Sequence, residues 1–468
     1  MRTLAQFSCA ATAAAALLGA VMDTAAAQPA PATPRLAYEQ YRLANGLTVI
    51  LHEDRSAPVA AVVVMYHVGS KNEKPGRTGF AHLFEHMMFQ GSQHVGDNEH
   101  FRMLQEVGAT INGTTNIDRT NYFETVPSNA LELALYLEAD RMGFLLPAMT
   151  QEKLDNQRDV VKNERRQNYE NQPYGLAGET LDKALYPEGH PYSWPTIGSM
   201  ADLSAASLDD VKDFFRTYYA PNNAVLVVAG DYDAPRTKGW IEKYFGPIPS
   251  GPPFERPKTW TFTVPEEKRL VMEDRVQLPR LTMVWPSSPM NTRQDAVLDV
   301  LTDILSSGKN SRLYKRLVYE KQVAQNVMAY QNGAEIAGEL GVQVTAKQGT
   351  GLTEIESEVR AALEEVVKGG VTEREIQMAL NNKEVQLVNN KATVFGKANA
   401  LATYHTLTGD AANLNREFAR FAGITPQEVQ SAARSVLDGN GVVLSVVPRG
   451  KPELAAQQRS VKRQEGVE

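Results

Sequence analysis

Residues 79–92 read GFAHLFEHMMFQGS, and the rest of the chain organises around them. On a helix, His82 and His86 sit one turn apart on one face. Two imidazoles so placed can reach one metal ion. Glu85 precedes the second histidine, so it points close to the same ion without having to bind it. Zinc held by two histidines and one carboxylate, with a water in the fourth place, is a hydrolytic arrangement. The pattern is the reverse of the commoner His-Glu-x-x-His zinc motif. A solvated His/Glu helix face is the competing reading. Phe80, Leu83, Phe84, Met87, Met88 and Phe89 speak against it. They mark the helix as largely buried, and buried His and Glu need partners.

The third ligand should be a carboxylate downstream on another helix. The pattern predicts a helix over 151–170, which offers Asp155, Asp159, Glu164 and Glu170. Composition does not choose among them. Upstream, β-rich runs at 38–42 and 47–51 flank Asn45-Gly46 and read as a hairpin. The Val-rich run 60–67 reads as a core strand, and 110–125 as a strand pair. Helices are expected at 98–107, 130–142 and 208–218, with a strand at 223–230. The segment 247–257 (PIPSGPPFERP) is too rich in proline for a helix or a central strand and reads as a linker. Beyond it the outline repeats: strand 280–285, helix 295–306, then helix 426–437 and strand 441–447. The fold expected is α+β, with two homologous domains, each a mostly antiparallel sheet with helices packed on one face. The boundaries expected are 37–246 for the first domain, 258–450 for the second and 451–468 for a polar tail.

The chain has 468 residues with 43% hydrophobic and 22% charged, the mix of a folded globular protein. A formal net charge of −7 argues against nucleic acid as the main partner. Arg2, the apolar run 10–22 and Ala25-Ala26-Ala27 form a secretory signal over 1–27, with a flexible lead-in at 28–36. A periplasmic or secreted location is therefore expected. No later run is long and apolar enough for a membrane span. The single cysteine, Cys9, lies within that signal, so any metal must sit on His, Asp or Glu.

The metal-helix stretch, together with RDVVKNERRQNYENQPY at 158–174 and GATINGTTNIDRTNYF at 108–123, resembles the pitrilysin/insulinase family of metallopeptidases, which includes mitochondrial processing peptidases. HPYSWPTIG at 190–198, FFRTYYAPNNAVLVVAGD at 214–231 and SRLYKRL at 311–317 extend the likeness over nearly the whole chain past the signal. The resemblance implies one zinc per chain on His82, His86 and Glu164, with Glu85 activating the water. It implies that Asn112 pairs with the substrate backbone and that the chain forms half of a clamshell. Two departures stand out. Family members often carry a carboxylate seven residues before the third ligand, where this chain has Gln157, which could only orient neighbours. Active members hold the substrate carbonyl with an Arg and a Tyr from the far half, and Val318 and Gln325 stand in those places here. The expectation is a zinc endopeptidase acting on peptides or unfolded segments, in a heterodimer with a homologous subunit that supplies the Arg/Tyr pair. A homodimer is the alternative assembly, and a non-catalytic binding or assembly subunit is the alternative function.

Overall fold

The computed structural model describes residues 35–456. The expected signal and almost all of the lead-in lie outside them, as does most of the polar tail. The first half runs β1 (Glu39–Arg42), β2 (Thr48–Glu53), β3 (Val59–Tyr66), α1 (Phe80–Met87), α2 (Glu99–Glu106), β4 (Thr110–Thr115), β5 (Thr120–Pro127), α3 (Leu131–Ala148), α4 (Gln151–Arg165), α5 (Ala177–Leu185), α6 (Met200–Ala205), α7 (Leu208–Tyr218), β6 (Ala224–Gly230) and α8 (Ala234–Phe245). The second runs β7 (Lys268–Asp274), β8 (Arg280–Ser287), α9 (Arg293–Ser306), β9 (Ala324–Gly333), β10 (Gly338–Ala346), α10 (Leu352–Gly369), α11 (Glu373–Asn389), α12 (Val394–Thr408), α13 (Pro426–Leu437) and β11 (Val442–Pro448). The α-helical part of the expected helix 151–170 stops at Arg165, and a π-helical turn, Arg166–Glu170, completes it.

The two sheets have one design. The first has strand order β1-β2-β6-β3-β5-β4 and the second β7-β11-β8-β10-β9. With β1 set aside, the orders superpose strand for strand. The one parallel pair falls at the same place in each, β2 with β6 and β7 with β11, and every other pair is antiparallel. The α+β duplication expected from the sequence is therefore present. Chain order then matches α1 with α9, α3 with α10, α4 with α11, α5 with α12 and α7 with α13.

The layering is fuller than one covered face per sheet. On β3, Ala60, Val62, Val64 and Tyr66 face the helices of their own half. Ala61, Val63 and Met65 face the other way, with Val225 and Val227 of β6, and are covered by Val394, Ala398, Leu401 and Ala402 of α12. Burial on both faces is why β3 reads as an unbroken apolar run rather than an alternation. The exchange is mutual. Val284 of β8 and Val442, Leu444 and Val446 of β11 lie in one cluster with Ala177, Leu181 and Leu185 of α5. Each half thus lends its matching helix to the back of the other half's sheet. At about 25 cal/mol per Å² of apolar surface, a buried leucine such as Leu401 contributes about 1.5–3 kcal/mol to that junction.

Candidate metal centre

Helix α1 is held rigidly at its start. Gly79 adopts φ 90°, and Gly198, at φ 77°, packs backbone to backbone against it. A Cβ on Gly198 would lie 2.4 Å from the Gly79 Cα, so only glycine fits. The buried Glu73 carboxylate accepts from the amides of Gly79 (2.9 Å) and Ala81 (2.8 Å), filling donors that a helix start leaves open. Further along, Tyr219 Oη donates to the Ala81 carbonyl (3.3 Å) and Tyr122 Oη to the Phe84 carbonyl (3.2 Å). Phe80, Ala81, Leu83, Phe84 and Met87 are buried, which turns His82, Glu85 and His86 toward the opposite, partly open face.

Helix α4 faces it. Its Thr150 cap accepts from Lys153 N (3.3 Å), and Leu154, Gln157, Val161 and Arg165 form its buried side. Arg165 fastens the end through the Gly198 carbonyl (2.9 Å) and Glu179 (2.7 Å). Of the four candidate carboxylates, Glu164 alone reaches the histidines; Asp155, Asp159 and Glu170 are exposed. Glu164 Oε2 lies 3.3 Å from His86 Nε2 and 3.6 Å from His82 Nε2. Among the described residues this is the one cluster of three or more such groups suited to a metal, with its ligand atoms all within 4.8 Å of one another.

The donor set fits zinc. Donors about 2.0–2.1 Å from a tetrahedral centre stand about 3.3–3.4 Å apart, close to the separations found. Burial, reinforced by His86, pushes the His82 imidazole down to about 4, so it is neutral and offers a lone pair. His82 Nδ1 is buried without a hydrogen-bond partner, which leaves that ring held by packing and by whatever Nε2 binds. A hydrogen bond from His86, ahead of the opposing burial, holds the Glu164 carboxyl below its ordinary value.

Glu85 lies under the edge of the first sheet. A Cβ on Gly113 would meet Glu85 Cγ at 3.1 Å, Phe89 at 3.2 Å and Tyr122 at 3.2 Å, so the β4 backbone passes directly over Glu85. Burial raises the Glu85 proton affinity, opposed by the Thr115 hydroxyl, His86 and Arg119. Among the described residues β4 pairs only with β5, and its outer edge is unpaired. Asn112 is exposed on that strand, its side chain folded back to accept from Gly113 N (2.9 Å). Gln157 is buried, but its amide donates to Asn156 (2.9 Å) rather than to the metal-binding atoms.

Three features escaped the sequence reading. Arg119 donates to the Thr114 carbonyl (2.9 Å) and Asn121 (3.2 Å) and adds positive charge near Glu85. Arg141 is fully buried under the site, paired with Glu138 through Nε (2.9 Å), 4.0 Å from Glu124, and 4.3 Å from the Tyr122 ring centre. In the second half, the pair matching α1 and α4 is α9 and α11. There Lys383 lies 3.3 Å from Asp299 and 4.0 Å from Asp303, an ammonium between helices where the first half sets metal ligands. Charged residues at apolar helical spacing are the one signal that could have flagged Arg141 and Lys383; Arg119, in the β4–β5 turn, had none. Of the residues near the expected clamp, Val318 packs on the second core and Gln325 is exposed on β9. Arg316 is committed to Glu358 (3.0 Å) and Glu365 (2.9 Å). His94 binds Asp140 (2.6 Å), and His100 is buried edge-on to Phe89, so neither joins the centre.

Residues 48–193 match the family model described as Insulinase (Peptidase family M16), and residues 205–383 match that of the Peptidase M16 inactive domain. The zinc protease PqqE of Helicobacter pylori is 27% identical over 374 residues, covering 78% of this chain and 83% of that protein. The uncharacterized zinc protease YmxG of Bacillus subtilis is 23% identical, covering 88% and 98%. Among solved structures, a protease from Helicobacter pylori superposes with a TM-score of 0.81 at 25% identity, over 88% of this chain and all of that one. A peptidase M16 inactive domain from Pseudomonas fluorescens shares the fold, with a TM-score of 0.78 at 19% identity over 88% and 98%.

Proposed function

The chain belongs to the insulinase (M16) peptidase family, and from that premise we propose that it is a zinc metalloendopeptidase that hydrolyses peptides or unfolded protein segments. The observation that carries this reading is the convergence of His82, His86 and Glu164 beside Glu85, beneath an unpaired strand edge. One zinc ion held by those three ligands would polarise a peptide carbonyl and acidify a water. Glu85 takes the proton of the attacking water and returns it to the leaving amine. Its burial suits this, because it strengthens the carboxylate as a base. The substrate adds as a strand to the outer edge of β4, with Asn112 beside the reacting carbonyl, so recognition is mainly of backbone.

Val318 has no donor and Gln325 no phenol, so neither reproduces the Arg/Tyr pair, and Arg316 is engaged elsewhere. A homologous subunit carrying an Arg/Tyr pair completes the site in a heterodimer. Residues 1–27 direct the chain to the periplasm or beyond. The rival, a non-catalytic assembly subunit, is disfavoured by the complete ligand set with its adjacent base.

The test is hydrolysis of a quenched peptide by the purified chain, alone and with its homologous partner, alongside zinc content. Glu85→Gln is expected to retain zinc and lose about 10²–10⁴-fold in rate. Retained zinc with an unchanged rate overturns the mechanism. Full activity of the single chain overturns the heterodimer.

A further inference from the structure

A cavity of about 440 Å³ opens between the two halves, away from the metal ligands. It collects basic and imidazole groups from four separate stretches of chain: Arg42 at the end of β1, His67 just past β3, Arg256 in the Pro-rich segment, and His405 on α12. Neither Arg42 nor Arg256 has a carboxylate within 4.0 Å among the described residues. Arg42 uses only Nε, toward the Gly46 carbonyl (2.9 Å), and keeps its two terminal nitrogens. Arg256 is braced by the His67 carbonyl (3.2 Å) and Asn223 (2.6 Å), which aims it without neutralising it. The one acid in the wall, Glu335, bonds His67 (2.7 Å), shares Lys71 with Asp118 and also acts on Arg256, so the two arginines outweigh it by one charge. Asp410, near His405, is paired with Arg416 (2.8 Å).

His405 adds an imidazole to the wall, though not through every atom. Its Nδ1 is buried and has no hydrogen-bond partner. Burial disfavours its charged form; Asp410 opposes this, and Arg42 and His67 add to it more weakly. The neutral ring can offer an N–H to the cavity.

We propose that this cavity binds a phosphoryl anion, either free phosphate or the phosphate of a small metabolite. Guanidiniums on different walls suit a tetrahedral dianion, which accepts in several directions at once, better than a planar carboxylate. The volume falls in the range of small-ligand sites, about 300–1,000 Å³, and leaves room beyond one phosphate group. The bound anion joins the first half, the connecting segment and α12 of the second half.

The experiment is calorimetric titration of the full chain with inorganic phosphate, and separately with a simple phosphate monoester, at constant ionic strength. Zinc-loaded and chelated protein are compared. Saturable binding is expected in both forms, weakened at least tenfold by Arg42→Gln with Arg256→Gln and only partly by Arg256→Lys. Both arginines are exposed, and a native melting profile of the double variant excludes misfolding. Tighter binding of the monoester identifies a phosphorylated metabolite; tighter binding of phosphate identifies the free ion. Absence of saturable binding, binding that needs zinc, or binding unchanged in the double variant overturns the assignment.

Discussion

Replacing Glu73 by glutamine should destabilise the protein in mild acid and stabilise it in base. Glu73 caps α1 with two backbone N–H bonds, which favour the carboxylate, yet burial outweighs them and pushes its carboxyl up to about 8 from an ordinary 4.5. Between those values the folded chain holds a proton that the unfolded chain has released. Stability therefore falls as pH rises across that window, and is flat below 4.5 and above 8. Each tenfold difference in proton affinity is worth about 1.4 kcal/mol, so the whole window costs on the order of 4–5 kcal/mol. Glutamine cannot ionise, and it keeps one acceptor for the two amides. The amide left unpaired costs about 1–3 kcal/mol at any pH. At pH 5 the variant should thus be less stable by that amount, reduced by the roughly 0.7 kcal/mol that the native chain has already lost half a unit above 4.5. At pH 9 it should be more stable by roughly 2 kcal/mol. Urea unfolding at the two pH values measures the difference, and other titrating groups cancel in it. An equal loss at both would show that Glu73 is an ordinary ionised cap and refute the reasoning.

Two other outcomes follow from the same region. Arg141→Met leaves Glu138 and Glu124 buried without their cation, and should cost about 3–5 kcal/mol in urea unfolding; a loss below about 1 kcal/mol would remove Arg141 from the support of the site. Zinc at a thousand times its dissociation constant should add about 4 kcal/mol, so a chelator should lower the melting midpoint of the native chain and leave that of His86→Ala unmoved; equal shifts would place the stabilising metal elsewhere.

The legible parts of the fold were those where one period dominates. The apolar flanks of His82 marked α1, and the double-sided burial of β3 made its strand stand out. The matching helices and strands at the two ends of each half were enough to suggest the duplication. The exchange of α5 and α12 was not legible, because an apolar helix face does not say which sheet it will cover. At the metal centre, spacing alone defined His82, Glu85 and His86. Glu164 needed the resemblance, since α4 is polar throughout and one of its few apolar residues, Val160, is 41% exposed. A phase read from Leu154 and Val161 alone was too thin to choose among four acids. Arg141 and Lys383 were missed because a charged helical residue ordinarily marks the solvent side.

The exchanged helices also set an order of events during synthesis. Chains begin folding from the N-terminus while the remainder is still being made. A nascent chain that has reached the Pro-rich segment owns every strand of its first sheet, yet Ala61, Val63, Met65, Val225 and Val227 still face water, because α12 does not exist. The second sheet is spared this wait: α5 is made before the strands it will cover. The first sheet is therefore closed on both faces only once α12, up to Thr408, is available to it.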